Sequence, residues 1–350
     1  MTTKPREVEV AGAANVTALS PRTAANAAEP AGAGIARNPG MALDLGFLES
    51  MRSVNRSALE RRAATLTKRR SIKNENQAAW LLRAISVMDL TTLNSNDTDE
   101  RVRRLCAKAI NPLRADLVEG LGIQGANIRP AAVCVYHPFV AAAVDALRGT
   151  GIHVAAVSTA FPHGLAPLST RLKEIEASVA DGADEIDVVI PRGLVYEANW
   201  QALYDEIRQM RAACGEAHIK VILGTGDLAT LRNVTLASMV AMMAGADFIK
   251  TSTGKESVNA TLPVGLSMVR AIRAYFEHTG YLIGFKPAGG ISTAKVSLDW
   301  LVLMKEELGR PWLEPELFRF GASSLLTDIE RQLEHHLTGR YSANHRHAMA

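Results

Sequence analysis

Long apolar runs are missing from this sequence. No stretch reaches the roughly 18 uninterrupted apolar residues that a membrane span requires. The first ten residues, MTTKPREVEV, mix acids with bases and lack the apolar core of a secretory signal. These absences predict a chain that neither spans a membrane nor enters the secretory route. An Ala-rich segment with a few arginines follows, so an organelle transit peptide stays open as the alternative to the cytoplasm, which we predict.

Cysteine is scarce, and neither sign of charge is in large excess. The three cysteines, Cys106, Cys134 and Cys214, are far apart and odd in number, which fits neither a disulfide framework nor a paired-cysteine metal site and favours a reducing compartment. The formal charge is only +3. Much of the basic excess is local, between residues 61 and 73, and we interpret it as a solvated helix face rather than a nucleic-acid contact.

Histidine clusters and a dinucleotide-binding fingerprint are missing as well. The nine histidines form no cluster on the apolar strands, whereas a catalytic zinc needs three convergent ligands. No GxGxxG turn follows the first apolar strand, and no acid ends the second, so a Rossmann fold is disfavoured. We therefore expect neither a metal nor an organic cofactor.

Composition divides the chain into four segments. Residues 1–45 are rich in Ala, Pro and Gly, which predicts disorder because they cannot bury enough apolar surface to offset their ordering entropy. Over 46–85, helical spacing with an apolar edge from Trp80 to Ile85 predicts helices that pack on the main domain. Residues 86–337 form that domain, and 338–350 form a C-terminal tail.

Short apolar runs alternate with helical spacing from Val87 onward. In one link, apolar residues recur at three- and four-residue steps from Trp200 to Met210, which predicts a helix before the strand HIKVIL. Eight strands joined by helices predict an α/β fold of the (β/α)₈ TIM-barrel type. The predicted strands are Val87–Leu90, Ala131–Tyr136, Val154–Thr159, Glu185–Ile190, Lys220–Leu223, Asp247–Thr251, Leu282–Lys286 and Leu317–Phe320.

Two lysines end neighbouring strands, and each leads into a turn of small residues. They are Lys250, in ADFIKTSTGK, and Lys286, in GFKPAGG. Barrel strand ends converge on one face, and a second ammonium about 5 Å away disfavours the charged form by roughly 3 kcal/mol at an effective dielectric of about 20. Either lysine could then supply a neutral amine to a carbonyl.

An acid on the fourth strand completes this chemistry. Glu185 and Asp187 share a strand face, and Asp187 lies deeper in the apolar run, so we assign it the proton transfers that imine formation needs. The alternative is a carboxylate that only pairs with a lysine structurally.

Small turns after the last two strands predict a phosphate site. Gly289-Gly290 follows strand seven and Gly321-Ala322-Ser323-Ser324 follows strand eight, where barrel enzymes commonly bind phosphate. The second turn opens a helix, whose N-terminus favours an anion. Lys255, five residues after Lys250, would add a positive charge.

These motifs together resemble the deoxyribose-phosphate aldolases, Schiff-base (class I) aldolases of the (β/α)₈ fold. MDLTTL, AVCVY, ADEIDVVIP, ADFIKTSTGK, GFKPAGG and FGASSLL occur in this order, and the 45–85 segment and GEAHIKVIL are similar to the longer, animal-like branch. The resemblance implies reversible cleavage of 2-deoxy-D-ribose 5-phosphate to D-glyceraldehyde 3-phosphate and acetaldehyde, in deoxyribonucleotide catabolism. The alternatives are another Schiff-base aldolase or transaldolase and a non-catalytic phosphosugar-binding barrel.

Carried over by position, the resemblance assigns roles to individual residues. Lys250 forms the imine, Lys286 lowers its pKa, and Asp187 relays protons. Three residues fall near the substrate hydroxyls (Asp89, Thr91 and Asn94), and seven fall on the phosphate site (Gly254, Lys255, Gly289, Gly290, Gly321, Ser323 and Ser324). Cys134, at the end of strand two, is grouped with the substrate-binding residues, although by itself it is more typical of a buried thiol.

Three positions depart from the family pattern. Gly224 stands where bacterial members often have a glutamate, and Ser292 stands where an arginine is common. Tyr341 is the nearest candidate for the C-terminal tyrosine that assists proton transfer in some members. The expected partners are the sugar phosphate and acetaldehyde, with no nucleic acid and no membrane, and assembly into a homo-oligomer is left open.

Overall fold

Eight parallel strands form a central barrel, and the hydrophobic core lies between these strands and the helices around them. The computed structural model describes residues 37–69 and 72–347. The strands are β1 Met88–Thr91, β2 Ala132–Tyr136, β3 His153–Ser158, β4 Glu185–Val189, β5 His218–Ile222, β6 Phe248–Lys250, β7 Gly284–Lys286 and β8 Phe320–Ala322. Hydrogen bonds link them in the order β7-β6-β5-β4-β3-β2-β1-β8. This sequential order is the one that a right-handed β-α-β progression produces when it closes on itself.

Thirteen α-helices cover the sheet and its ends in the described residues. They are α1 Leu45–Ser50, α2 Arg56–Arg69, α3 Asn74–Ser86, α4 Asp99–Ile110, α5 Ala115–Gly120, α6 Val140–Leu147, α7 Leu168–Ala180, α8 Arg192–Tyr196, α9 Trp200–Ala213, α10 Leu231–Met243, α11 Leu262–Thr279, α12 Ala294–Glu307 and α13 Leu325–Thr338. The predicted face of α9 is confirmed, because Leu203, Ile207 and Met210 are fully buried. Within the described ranges, no helix is long and apolar enough to span a membrane.

The barrel closes between β7 and β8 through single bridges. The amide of Phe285 donates to the carbonyl of Leu317 at 2.9 Å, and that of Gly321 donates to Pro287 at 3.0 Å. The predicted (β/α)₈ fold is therefore confirmed. The predicted eighth strand, Leu317–Phe320, begins too early: the amides of Leu317 and Phe318 turn back to the carbonyl of Glu314, and the strand runs over Phe320–Ala322.

The first described residues dock on the outside of α10. Residues 1–36 lie outside the described residues, and their predicted disorder stays a prediction. Residues 37–44, which the composition also placed in that extension, are bound to the barrel instead. The buried amide of Asn38 donates to the carbonyls of Met242 and Ala246, at 2.7 and 2.9 Å. This cover accompanies the burial of every residue of α10 from Val234 to Met243.

The two longer helices before the barrel pack on its last three helices. α2 contacts α11 and α12, whereas α3 contacts α12 and α13. Leu81 and Ile85 of the predicted apolar edge are buried, and Trp80 and Leu82 are partly buried. Their apolar faces thus extend the barrel core.

The last described residues fold back against α13. His347 is buried, with its Nε2 at 2.7 Å from Oε2 of Glu334 and at 2.8 Å from Oγ of Ser342. Tyr341 is 89% exposed, and its ring stacks on His335. Because α13 starts after β8 and runs to the opposite face of the barrel, Tyr341 lies away from the carboxyl ends of the strands. This placement does not bring it to the predicted site.

Candidate active site

Seven charged side chains are buried inside the barrel. They are Asp89, Glu185, Asp187, Lys220, Lys250, Lys286 and Arg319, each at most 4% exposed. All seven come from the strands or from the residue next to one. Strand register explains their meeting, because Asp187 is level with Lys220 and Lys250 is level with Lys286. Side chains that alternate inward along neighbouring parallel strands stack in layers, so these charges share the interior.

The two predicted lysines meet on the predicted aspartate. Lys250 Nζ donates to Oδ2 of Asp187 at 2.7 Å, and Lys286 Nζ donates to the same oxygen at 2.8 Å. The two amines are therefore no more than about 5.5 Å apart. Lys286 also donates to Asp89. The separation assumed from the sequence is thus present, with a carboxylate oxygen between the amines.

A second layer of charges supports the first, and the sequence reasoning missed most of it. Lys220 Nζ lies 3.3 Å from Oδ1 of Asp187 and also contacts Glu185. Arg319 donates from Nη1 to Asp89 and from Nη2 to Glu185, each at 2.7 Å. The available signal was a lysine inside the apolar strand HIKVIL and an arginine inside LFRF. Charges inside apolar strands must be paired.

The balance of these charges distinguishes Lys250 from the other cations. Three carboxylates face four basic groups, so the cluster is neutral when one base has lost its proton. Burial lowers the pKa of Lys250, the positive charge of Lys286 lowers it further, and Asp187 only partly opposes them. Burial also disfavours the charge on Lys286, but Asp187 and Asp89 raise its pKa above the ordinary value. Lys250 is therefore the amine that is most readily neutral.

The remaining groups of the cluster hold their charges. Burial opposes ionisation of Asp187, yet Lys220, Lys250 and Lys286 together keep its pKa well below the usual range. Burial is likewise outweighed at Lys220, whose carboxylate neighbours raise its pKa. Asp187 is thus an ionised acceptor beside the lysine that loses its proton most readily.

A cavity of about 380 Å³ opens above this cluster. Of the seven buried charged residues, Lys250 alone lines it. Thr91 and Asn94 line it too, as do the seven residues predicted to hold phosphate, which are Gly254, Lys255, Gly289, Gly290, Gly321, Ser323 and Ser324. The site therefore has a lysine amine at its floor and turns of small residues at one side.

Two predicted substrate-binding residues lie beneath the cavity instead of on its wall. The carboxylate of Asp89 is occupied by Lys286 and Arg319. Cys134 is fully buried on β2, and burial raises the pKa of its thiol. Both side chains act on the lysines from beneath the cavity. The cavity wall itself is formed by Thr91, at the end of β1, and by Asn94 of the loop that follows.

The wall after β6 is held by a carboxylate. Glu256 accepts hydrogen bonds from the amides of Thr253 and Gly254, both at 3.1 Å. Arg192, at the start of α8, lies 3.3 Å from Glu256 and 3.2 Å from Asp227. One guanidinium thus joins the loops that follow β4, β5 and β6. None of these residues was predicted, since each is an ordinary rim charge when read alone.

Gly224 makes room for that guanidinium. Its φ is +66°, and a Cβ atom at this position would lie 2.1 Å from Nε of Arg192. Only glycine satisfies both the left-handed backbone and the contact. The glycine at position 224 therefore accompanies the Arg192 contact in this chain.

Comparisons with known proteins identify the family. A model of the DeoC/LacD family of aldolases matches residues 83–327. The chain is 59% identical over 312 residues to a deoxyribose-phosphate aldolase of Homo sapiens, covering 89% of this chain and 98% of that one. It is 44% identical over 263 residues to a putative deoxyribose-phosphate aldolase of Caenorhabditis elegans, covering 75% and 84%.

A solved structure shares the fold. A putative deoxyribose-phosphate aldolase from Toxoplasma gondii ME49 has a TM-score of 0.64 at 22% identity, covering 78% of this chain and 99% of that chain. The family match runs from the end of α3 to the start of α13 and so includes every strand and all seven buried charges. The resemblance seen in the sequence is confirmed: the chain belongs to the DeoC/LacD family of aldolases.

Proposed function

We propose that this chain catalyses the reversible cleavage of 2-deoxy-D-ribose 5-phosphate to D-glyceraldehyde 3-phosphate and acetaldehyde. The observation that carries the proposal is Lys250, the base of the buried cluster whose pKa is lowered and whose side chain reaches the cavity. The phosphate turns on the same cavity supply the other end of the substrate. Relatives at up to 59% identity that bear this activity in their names support the choice.

The reaction begins with the neutral amine of Lys250. It attacks the C1 aldehyde of the open-chain sugar, and the resulting carbinolamine loses water to give an iminium ion. Removal of the proton from the C3 hydroxyl breaks the C2–C3 bond, and the electron pair moves into the iminium to form an enamine. Glyceraldehyde 3-phosphate leaves, C2 of the enamine takes up a proton, and hydrolysis releases acetaldehyde and the free amine.

The proton transfers fall to Asp187 and Lys286. The Oδ2 atom of Asp187 lies 2.7 Å from the attacking nitrogen. Because the pKa of Asp187 is low, a proton that it accepts is quickly released to the next acceptor. Lys286 remains charged beside it, which lowers the pKa of Lys250 and stabilises the ionised relay. Thr91 and Asn94 are placed to contact the substrate hydroxyls from the cavity wall.

An assay of both products tests the proposal. Purified protein with 2-deoxyribose 5-phosphate should release acetaldehyde and glyceraldehyde 3-phosphate in equal amounts, each followed by a coupled dehydrogenase. Fructose 6-phosphate and sedoheptulose 7-phosphate serve as alternative substrates. Turnover of these, without acetaldehyde release, would identify another Schiff-base aldolase or a transaldolase. Saturable binding of the sugar phosphate without any product would identify a non-catalytic barrel.

The compartment and the assembly belong to the same proposal. A cytoplasmic location fits the three buried, unpaired cysteines, which a reducing environment would keep as thiols. A homo-oligomer fits the tetrameric deoxyribose phosphate aldolase of Aeropyrum pernix, whose fold is similar at a TM-score of 0.54. Cell fractionation and light scattering of the purified chain test the two statements.

Gly224→Ala should damage both stability and substrate binding. The new methyl group displaces Arg192, which frees Glu256 and loosens the wall at Thr253 and Gly254. We expect a loss in unfolding free energy of more than about 2 kcal/mol and a KM for the sugar phosphate raised roughly 10-fold. Denaturant unfolding and steady-state kinetics measure the two effects.

Gly122→Ala is the matched control. Gly122 has the same φ of +66°, but a Cβ atom added there would meet no atom within 4 Å. Its unfolding free energy should fall only by the cost of a left-handed backbone at a residue with a side chain, about 1–2 kcal/mol. The KM for the sugar phosphate should not change. Equal KM values for the two variants would contradict the role of the Arg192 contact.

A further inference from the structure

The phosphate side of the cavity includes a cation from a different element, Arg101 of α4. β1 pairs with β8 in the sheet, so α4, which follows β1, packs beside α13, which follows β8. Lys108 of α4 contacts α13, because its Nζ lies 2.8 Å from Glu330. Arg101 lies two turns before Lys108, near the start of α4, and lines the cavity together with Ser323 and Ser324.

The guanidinium of Arg101 is held in place while its outer edge stays open. Nε lies 3.4 Å from Oδ1 of Asp97. Asp97 is itself fixed, since it accepts the hydroxyl of Thr92 at 2.9 Å and the amide of Asn94 at 2.9 Å. In the described part of the chain, neither terminal nitrogen of Arg101 donates a hydrogen bond. Two parallel N–H groups at the edge of a positioned guanidinium match two oxygens of a phosphate.

The other described residues that line this side of the cavity provide no unengaged cation for a phosphate. The lining contains three basic residues, Arg101, Lys250 and Lys255, and no Asp or Glu. Lys250 lies at the floor of the cavity, where its amine attacks the aldehyde carbon of the substrate. Lys255 is exposed, and its Nζ donates to the carbonyl of Leu93 across the mouth of the cavity at 2.9 Å. Ser292, which also lines the cavity, carries no charge.

We propose that Arg101, oriented by Asp97, binds the phosphate of the substrate and determines the preference for phosphorylated over unphosphorylated deoxyribose. The inference rests on the proposed function. Asp99 and Glu100, in the first turn of α4, are exposed and do not line the cavity, so they leave the anion-binding face of Arg101 clear.

The test compares two substrates across matched variants. For Arg101→Met, the ratio of kcat/KM for 2-deoxyribose 5-phosphate to kcat/KM for 2-deoxyribose should fall roughly 10- to 100-fold, which is the value of one charge-assisted contact. Arg101→Lys should give an intermediate ratio, because lysine keeps the positive charge but lacks the two parallel N–H groups of the guanidinium. Arg104→Met, an exposed arginine of the same helix, should match the wild-type ratio.

Inorganic phosphate supplies an independent readout. As a competitive inhibitor it should bind more weakly to Arg101→Met by the same factor. An unaltered substrate ratio together with unaltered phosphate inhibition would overturn the inference. Equal losses on both substrates would do so as well, since they would signal a structural role. Wild-type protein without any aldolase activity would instead refute the proposed function, so the two failures are distinguishable.

Discussion

Replacing Lys250 with Met is expected to abolish turnover and the covalent adduct that borohydride traps with substrate. Methionine keeps the unbranched shape and removes the amine. Loss of a covalent nucleophile lowers kcat by on the order of 10⁴-fold or more. Mass spectrometry of the reduced wild-type protein should place the adduct on the peptide that contains Lys250, and the variant should show none.

The Lys250→Met protein should fold, which makes the result interpretable. Without the amine of Lys250, three buried carboxylates face three buried cations, so the buried charges are balanced. The carboxylates are Asp89, Glu185 and Asp187, and the cations are Lys220, Lys286 and Arg319. Lys173→Met, which removes an exposed amine from α7, is the matched control and should trap like the wild type. An adduct that persists in Lys250→Met, on Lys286 for example, would reverse the assignment of the two lysines.

The nucleophile could be found in the sequence because its signal is local. A lysine that ends an apolar run and precedes a turn of small residues is recognisable without knowing any partner, and the same holds for Lys286. Eight repeats of strand and helix then place both on one face. The eighth strand was shifted, since an apolar pair, Leu317 and Phe318, resembles a strand although their amides turn back to Glu314.

The supporting layer could not be found in the same way. Arg319 and Glu185 are 134 residues apart, and only the closed barrel brings them together. Lys220 looks like a misplaced surface charge until its register with Asp187 is known. The contact of Arg192 across Gly224 depends on three loops at once. Local sequence patterns therefore indicate the reactive lysines, whereas their ion-pair partners depend on the alignment of strands that are distant in the sequence.

The buried ion pairs also explain why Lys250, and not Lys286, is the nucleophile. Sequence spacing left either lysine as the nucleophile, and the family resemblance was needed to separate them. In the structure the separation is physical: Lys286 touches two carboxylates, Asp89 and Asp187, whereas Lys250 touches one of them and the cavity. Carboxylate contacts favour the ammonium form, so the lysine with fewer of them loses its proton first.

Lys286→Met should therefore move the activity to higher pH. The free amine is the reactive form, so the rate rises with pH through the pKa of Lys250. Without Lys286 the three carboxylates face three cations, and Lys250 must stay protonated to balance them, which raises its pKa. At pH 7 we expect kcat/KM to fall on the order of 10- to 100-fold, with partial recovery as the pH is raised. The pH dependence of kcat/KM and of the borohydride-trapping rate measures the shift.

Asp187→Asn tests the same balance with the opposite sign. Loss of this carboxylate leaves two acids facing four cations, so Lys250 loses its proton more easily and the trapping rate should respond at lower pH than in the wild type. Turnover should nevertheless fall, by roughly 10²- to 10⁴-fold, because the proton relay is gone. A uniform loss of activity in both variants, with pH profiles that coincide with the wild type, would mean that the cluster only holds the barrel together. Opposite shifts require that its charge sets the state of Lys250.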